Sequence, residues 1–201
     1  MEKSTVESFE ASSPTTLPSR VEASQTGISL RASTLADRDF LMGVFESTRI
    51  DEFRASGLDE QTIRDLLAHQ FSMQDTYYRR HYPNARFDVV LNGERAIGRL
   101  YHEWNSNSGE ALIIDISLLS AYRGAGIGTR LMKAVVAEAA RREMAVRIQT
   151  EFNNPARALY RRLGFERIGD NGVYEQLRRA AAPFANEEVT PVAGLSGNAN
   201  E

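Results

Sequence analysis

Along residues 28 to 179 the spacing of apolar positions changes several times, and each change marks a new element. Ile28-Ser29-Leu30-Arg31 alternates apolar with polar and predicts a short strand, after which Thr34-Leu35-Ala36-Asp37 reads as a capping box that starts a helix. Phe40, Leu41, Val44 and Phe45 form one stripe of that helix, because spacings of one, three and four return to the same face. Beyond Gly57, Asp59 caps a second helix with Ile63, Leu66, Leu67, Phe71, Tyr77 and Tyr78 near one face, and Pro83-Asn84 ends it. Residues 87–91, the turn Asn92-Gly93 and residues 96–104 read as an antiparallel hairpin. After a turn at residues 105–109, residues 111–118 form a third strand with Ile and Leu on one parity, as expected where a face is buried.

Helix and strand then alternate. Ile127, Leu131, Val135 and Ala139 recur every four residues and predict a helix, residues 144–150 a strand, and residues 154–163 a short helix closed by Gly164. Residues 165–168 and 173–177 make a last hairpin around Asp170-Asn171-Gly172. No segment repeats. The flanks lack this patterning. Residues 1–27 are rich in Ser, Thr and Pro and carry Glu2, Glu7, Glu10 and Glu22 without a continuous apolar run, which predicts a disordered tail and speaks against a secretory or transit peptide. Residues 180–201 are Ala, Pro, Asn, Gly and Glu without periodicity and read as a second disordered tail. One folded domain over residues 28–179 is the resulting organisation, a size that suits a single core.

Composition narrows function without naming it. A formal charge of −3 argues against a protein that neutralises nucleic-acid phosphates broadly, so any phosphate contact is expected to be local. No apolar run approaches the roughly 20 residues of a membrane span, and no membrane association is expected. The absence of cysteine removes disulfides, thiolate metal sites and a cysteine nucleophile, and suits a reducing, cytoplasmic location. His69, His81 and His102 show no metal-ligand spacing, so no metal is implied.

The segment Arg123-Gly124-Ala125-Gly126-Ile127-Gly128-Thr129 stands between an apolar strand and a helix. Such a loop is an anion site, since unpaired N–H donors and the positive end of the helix dipole both favour a phosphate, and glycines let the backbone come close. A dinucleotide-binding fingerprint fails because Thr129 stands where its third glycine is needed, and a Walker loop fails for want of Gly-Lys-Ser/Thr. Taken alone, the glycines fit a flexible surface loop with a glycine cap better than an anion site. Arg123 makes the run R-x-x-G-x-G, and at this point the chain resembles the GNAT superfamily of N-acetyltransferases. Residues 153–165 are similar to that family's second motif, with Asn153, Ala156, Leu159, Tyr160, Gly164 and Phe165 on its fixed positions.

The resemblance implies an α/β (α+β) fold with a mixed, mostly antiparallel sheet of about seven strands flanked by about four helices. It implies that the pyrophosphate of acetyl-CoA sits on the backbone of Arg123, Gly124, Ala125, Gly126, Ile127, Gly128 and Thr129, with Asn153 also toward the coenzyme. It places Ile116, Ser117 and Leu118 beside the pantetheine arm and acetyl group, and gives Tyr160 the task of protonating the departing thiolate. On residue type alone, Tyr160 is a packed core tyrosine. Transfer to an amine also needs a base, because most amines arrive protonated. Glu110 and Asp115, on the third strand of the meander, are the candidates, and Glu103 and Glu151 are weaker ones. Simple alternation does not turn both Glu110 and Asp115 to the substrate; Glu110 needs a bulge or a strand end to reorient it. The function expected is acetyl transfer from acetyl-CoA to an amine nitrogen of a small molecule or peptide, by direct attack on the thioester. A non-catalytic acyl-CoA-binding module of the same fold is the alternative. The acceptor and the oligomeric state stay open.

Overall fold

A computed structural model describes residues 27–105, 107–181 and 189–196. Its strands are β1 (Ile28–Ala32), β2 (Arg86–Asn92), β3 (Arg95–Asn105), β4 (Glu110–Leu118), β5 (Ala145–Glu151), β6 (Glu166–Asp170) and β7 (Tyr174–Arg179). They form one sheet in the order β1-β2-β3-β4-β5-β7-β6, in which only β4 and β5 are parallel. Four α-helices accompany it: α1 (Arg38–Arg54), α2 (Glu60–His81), α3 (Ile127–Arg141) and α4 (Arg157–Arg162). The mostly antiparallel seven-stranded sheet and the helix count are those expected.

Local chemistry sets the element ends. The backbone N–H and hydroxyl of Thr34 both donate to Asp37 Oδ2, and Arg31 grips the same carboxylate at 2.6 and 2.8 Å. The entry to α1 is thereby tied to β1. Asp59 Oδ1 accepts the Thr62 N–H at 3.0 Å, capping α2 as its position suggests. Asn92 and Arg95 pair directly, so the two-residue turn is Gly93-Glu94, one residue later than the Asn92-Gly93 signal, and Gly93 supplies the positive φ of 62°.

The two sheet faces bury separate clusters. Leu41, Phe45, Ile63, Leu67 and Phe71 from α1 and α2 pack on Val89. On α2 the aromatic pair divides: Tyr78 turns to the sheet, whereas Tyr77 is half exposed. Leu131, Met132 and Val135 of α3 join Leu30, Val90, Ile97, Leu100, Ile113 and Val146 in the larger cluster. Val192 and Leu195 complete it, so residues 189–196 of the expected C-terminal tail pack on the domain. Ala193 bridges Ser29 of β1 in parallel, and the Leu30 N–H donates to Ala193 O at 2.8 Å. Gly194, at φ 86°, lies so close that an added Cβ would stand 2.3 Å from Leu30 O. The segment has too few apolar residues to show a period, yet two of them suffice to fill a groove. Residues 1–26, 182–188 and 197–201 lie outside the described residues, so the rest of the tail expectations does not meet the structure.

Candidate active site

One irregularity creates the cleft. Tyr101 pairs with Asp115 but His102 pairs with Ile113, so Ile114 is an extra residue in β4. Such a bulge bends its strand and raises the local twist. Pairing of β4 with β5 runs only from Glu110↔Ala145 to Ile113↔Ile148, and beyond that point the two parallel strands diverge. Among the described residues the β5-facing edge of β4 from Ile114 onward is therefore without a partner strand. Gly98 on β3 keeps the far end of β4 close: an added Cβ would stand 2.3 Å from Ser117 O.

The opening between the strands is a cleft of about 380 Å³. Ile114, Asp115, Ile116, Ser117 and Leu118 line one wall, and Ile148, Gln149, Thr150 and Glu151 the other. Phe45, Thr48, Arg49 and Glu52 of α1 and Gln74 and Tyr78 of α2 cover one side, while Gly128, Met132, Leu159 and Tyr160 close another. The bulge also shifts parity. Ala111, Ile113, Ile116 and Leu118 all meet the α3-side cluster, a set that strict alternation cannot produce.

Tyr160 is buried on α4, its ring 5.9 Å from that of Phe165. Among the described residues its hydroxyl has no hydrogen-bond partner. Burial, and then the charge of Asp115, push the phenol up to about 12. It is held as a neutral O–H donor at the cleft wall. Asp115 accepts Arg99 Nε at 3.2 Å and Ser117 Oγ at 2.8 Å on Oδ1, and Arg99 Nη2 at 2.7 Å on Oδ2. A carboxylate has about four lone-pair positions, so Oδ2 keeps one. Arg99 is itself almost fully buried and also donates to Gln74 at 2.9 Å. Its burial works against the charge, but Asp115 and the neighbouring tyrosines outweigh that and hold the guanidinium up.

Glu110 does not reach this cleft. It starts β4, where Arg178 and Arg147 bind it at 2.8 and 3.3 Å, and those guanidiniums hold its carboxyl below the usual range. Five residues of strand, ~16 Å, separate it from Asp115. The bulge that its candidacy needed exists, but at Ile114, and so it alters Asp115 instead. Glu103 is likewise absent from the cleft lining, whereas Glu151 is part of it.

Gly126, with φ 79°, is the N-cap of α3, and Gly124 has φ 75°. The first helical bond is Arg130 N–H to Gly126 O at 3.0 Å, so the N–H groups of Ile127, Gly128 and Thr129 point out of the helix without an intrahelical acceptor. Arg123 does not aim at that space. Its Nε donates to Leu118 O at 2.8 Å and its Nη2 to Ser47 O and Oγ at 3.0 Å each, so it clamps the loop to β4 and α1. Asn153 is exposed and off the cleft wall; its neighbour Asn154 is on it, with Oδ1 taken by the Ala156 N–H at 2.8 Å.

Sequence reasoning passed over several residues. Thr150 lines the cleft with a buried hydroxyl that has no hydrogen-bond partner among the described residues. Arg130 and Lys133 share a second cavity of about 360 Å³ with Gly126, Thr129, Val189 and Thr190. Two cations on the first turns after the glycines were a legible signal for these. Arg49, on α1, carried none. Among the described residues no group of acidic and histidine side chains is arranged to hold a metal, and no helix is long and apolar enough to cross a membrane.

The comparisons with known proteins agree with one another. Residues 52–165 match the model of the acetyltransferase (GNAT) family. An N-alpha-acetyltransferase RimI of Mycobacterium tuberculosis is 33% identical over 102 residues, which are 51% of this chain and 62% of that protein; the match spans less than two thirds of the relative. Among solved structures, the PaiA N-acetyltransferase of Thermoplasma acidophilum in complex with coenzyme A superposes with a TM-score of 0.57 at 16% identity, covering 77% of this chain and 99% of that one. The spermidine N-acetyltransferase of Vibrio cholerae with coenzyme A and spermine gives 0.56 at 17%, over 80% and 99%. At such identities the likeness is one of fold. The family match, spanning more than half of the chain, is consistent with the split between β4 and β5 and the glycine loop beside it, and the chain belongs to the GNAT acetyltransferase family.

Proposed function

We propose that this chain transfers an acetyl group from acetyl-CoA to an amine, directly and without a covalent enzyme intermediate. The observation that carries the reading is that Tyr160 and Asp115 line one cleft beside Ser117, which favours catalysis over a binding module. Acetyl-CoA supplies an activated thioester on an arm with two amides, and the unpaired edge of β4 beyond Ile113 offers that arm the hydrogen bonding of a neighbouring strand. The N–H groups of Ile127, Gly128 and Thr129 suit the diphosphate. Arg130 and Lys133 add positive charge on the far side of the loop. Arg123 acts through the loop it clamps, and Asn153 keeps only the support of its motif.

Asp115 takes a proton from the incoming ammonium on the open position of Oδ2, freeing the nitrogen lone pair for the thioester carbon. Backbone N–H groups on the free edge of β4 meet the oxygen on which charge develops. The N–C bond forms, the C–S bond breaks, and the Tyr160 hydroxyl gives its proton to the sulfur. The surplus proton on the new amide nitrogen returns to the phenolate, and Asp115 releases to solvent the proton it took from the ammonium. The sum is ammonium plus acetyl-CoA going to amide, free coenzyme A and one proton. The lack of cysteine accords with this direct route and with a cytoplasmic setting.

A thiol-release assay with acetyl-CoA over small amines, polyamines and peptides tests the reading. Turnover of at least one class is expected. Saturable coenzyme binding with no turnover of any amine would instead make the chain an acyl-CoA-binding module.

A further inference from the structure

Three guanidiniums and three carboxylates line the cleft: Arg49, Arg99 and Arg123 against Glu52, Asp115 and Glu151. The formal charges cancel, so the cleft has no net field to draw in a polycation. Most of these groups are already engaged. Arg99 is held by Asp115 and Gln74, Arg123 by Leu118 and Ser47, and Asp115 by Arg99 and Ser117. Arg49 differs. Among the described residues its one polar contact is with Glu151 Oε1 at 3.4 Å, the outer limit of a hydrogen bond, with 31% and 37% of the two side chains exposed. The Arg49 guanidinium otherwise lies 5.4 Å over the Phe45 ring. An exposed pair held at that distance contributes little, and separating it costs little.

We infer that the acceptor is a small zwitterion, an amine with a carboxylate a few bonds away as in an α-amino acid. Its carboxylate takes Arg49 from Glu151, and its ammonium meets the Glu151 carboxylate so released. This rests on the acetyl-transfer reading and deepens it. Glu151 holds the guanidinium through a single carboxylate oxygen, the kind of contact an acceptor carboxylate would make. A planar fork of donors suits a carboxylate better than a point charge does, which distinguishes Arg49 from a generic cation at the mouth. Size agrees: about 380 Å³ is near the low end for small-molecule sites and must also hold the end of the thioester arm. The two ion pairs then align the amine for attack, while Asp115 takes its proton.

The test compares free amino acids, their carboxamides and spermidine as acceptors for the full chain, by thiol release. The acids are expected to exceed the carboxamides and spermidine in kcat/KM by about tenfold or more, the effect of one charged hydrogen-bonding partner. Arg49→Ala should lower the acid-to-amide ratio by on the order of 10- to 100-fold, and Arg49→Lys should recover part of it. Equilibrium binding of acetyl-CoA establishes that each variant is folded. Carboxamides or spermidine turned over as well as the acids, or an acid-to-amide ratio that Arg49→Ala leaves in place, would overturn the inference while leaving acetyl transfer intact. No turnover of any of the three classes, with acetyl-CoA bound, would also overturn this inference, while acetyl transfer itself would be removed only if the peptides and other amines of the wider assay failed as well.

Discussion

Tyr160 shows what a motif conveys about a single residue. The sequence placed it on the inward face of a short helix, and the structure surrounds its ring with apolar neighbours while leaving its hydroxyl without a partner among the described residues. A tyrosine packed only for stability usually finds a partner for its hydroxyl. Because burial pushes this phenol up to about 12, it stays protonated through ordinary working conditions. Tyr160→Phe is therefore predicted to lower kcat by about 100- to 10,000-fold, the usual worth of a general acid. Its affinity for acetyl-CoA, measured at equilibrium, should stay within a few-fold. In the wild type, no loss of kcat assignable to Tyr160 should appear until the pH nears 12. A Tyr160→Phe enzyme that turns over at the wild-type rate would take the acid role from this residue.

Other residues were less legible. Arg123 was found by its motif, yet the motif says nothing of where a flexible cation points, and here it points to Leu118 and Ser47. Arg49 meets Glu151 across 102 positions of chain, a contact made by the fold alone. Glu110 had equal standing with Asp115 in the sequence because both sit on one strand. What separates them is the distance along that strand and two arginines from β5 and β7, none of which periodicity reports.

Elements were read well where the hydrophobic period was long and capped. The order of strands and helices, the Asp59 cap and the Thr34–Asp37 box all appear in the structure. The bulge at Ile114 was not legible, since one inserted residue in a strand of Ile and Leu leaves the composition unchanged. That bulge has energetic company. Across β3 and β4, Arg99 and Asp115 are nearly buried, with side chains 3% and 11% exposed. Removing one partner of such a pair strands the other charge, and Asp115→Ala is predicted to cost about 3 to 5 kcal/mol of stability by denaturant unfolding. A double replacement of Arg99 and Asp115 by apolar residues of similar volume should recover much of that loss. If Asp115→Ala unfolds at the wild-type midpoint, the pair is not a stabilising element of the cleft floor.

The start of α1 makes a pH-dependent prediction. Arg31 first, and then the Thr34 donors against the opposing effect of burial, hold the Asp37 carboxyl well below the usual carboxylate range. A carboxyl depressed in the folded state contributes stability that is fully present above its unfolded value of about 3.9 and is lost as the pH falls through the folded value. The stability difference between wild type and Asp37→Asn, measured in urea, should be constant from neutrality down to about pH 4 and shrink below it. A difference independent of pH down to 2.5 would show that the Asp37 charge contributes nothing.

At the scale of the whole molecule, the C-terminal segment is where composition misled most. Val189, Val192 and Leu195 are scattered among Gly, Ala, Thr and Pro, so no period announces an element. Burial nonetheless takes Val192 and Leu195 into the cluster that α3 forms with the sheet, and the chain runs beside β1 with a bond from Leu30 to Ala193. Arg142 at the end of α3 also donates to Ser196 O, which ties the segment to the helix as well as to the sheet. Full burial of a valine or leucine side chain is worth about 1.5 to 3 kcal/mol, so this pair contributes roughly 3 to 6 kcal/mol before the entropy of ordering the segment is subtracted. In a chain of this length, 1 kcal/mol moves the thermal midpoint by about 2 to 4 °C. Ending the chain after residue 181, or changing Val192 and Leu195 together to Ala, is therefore predicted to lower Tm by on the order of 10 °C. The double substitution separates core packing from chain length, because it keeps the backbone that bonds Leu30. A truncated protein that melts with the full chain would mean that α3 and β1 close the groove without help from residues 189–196.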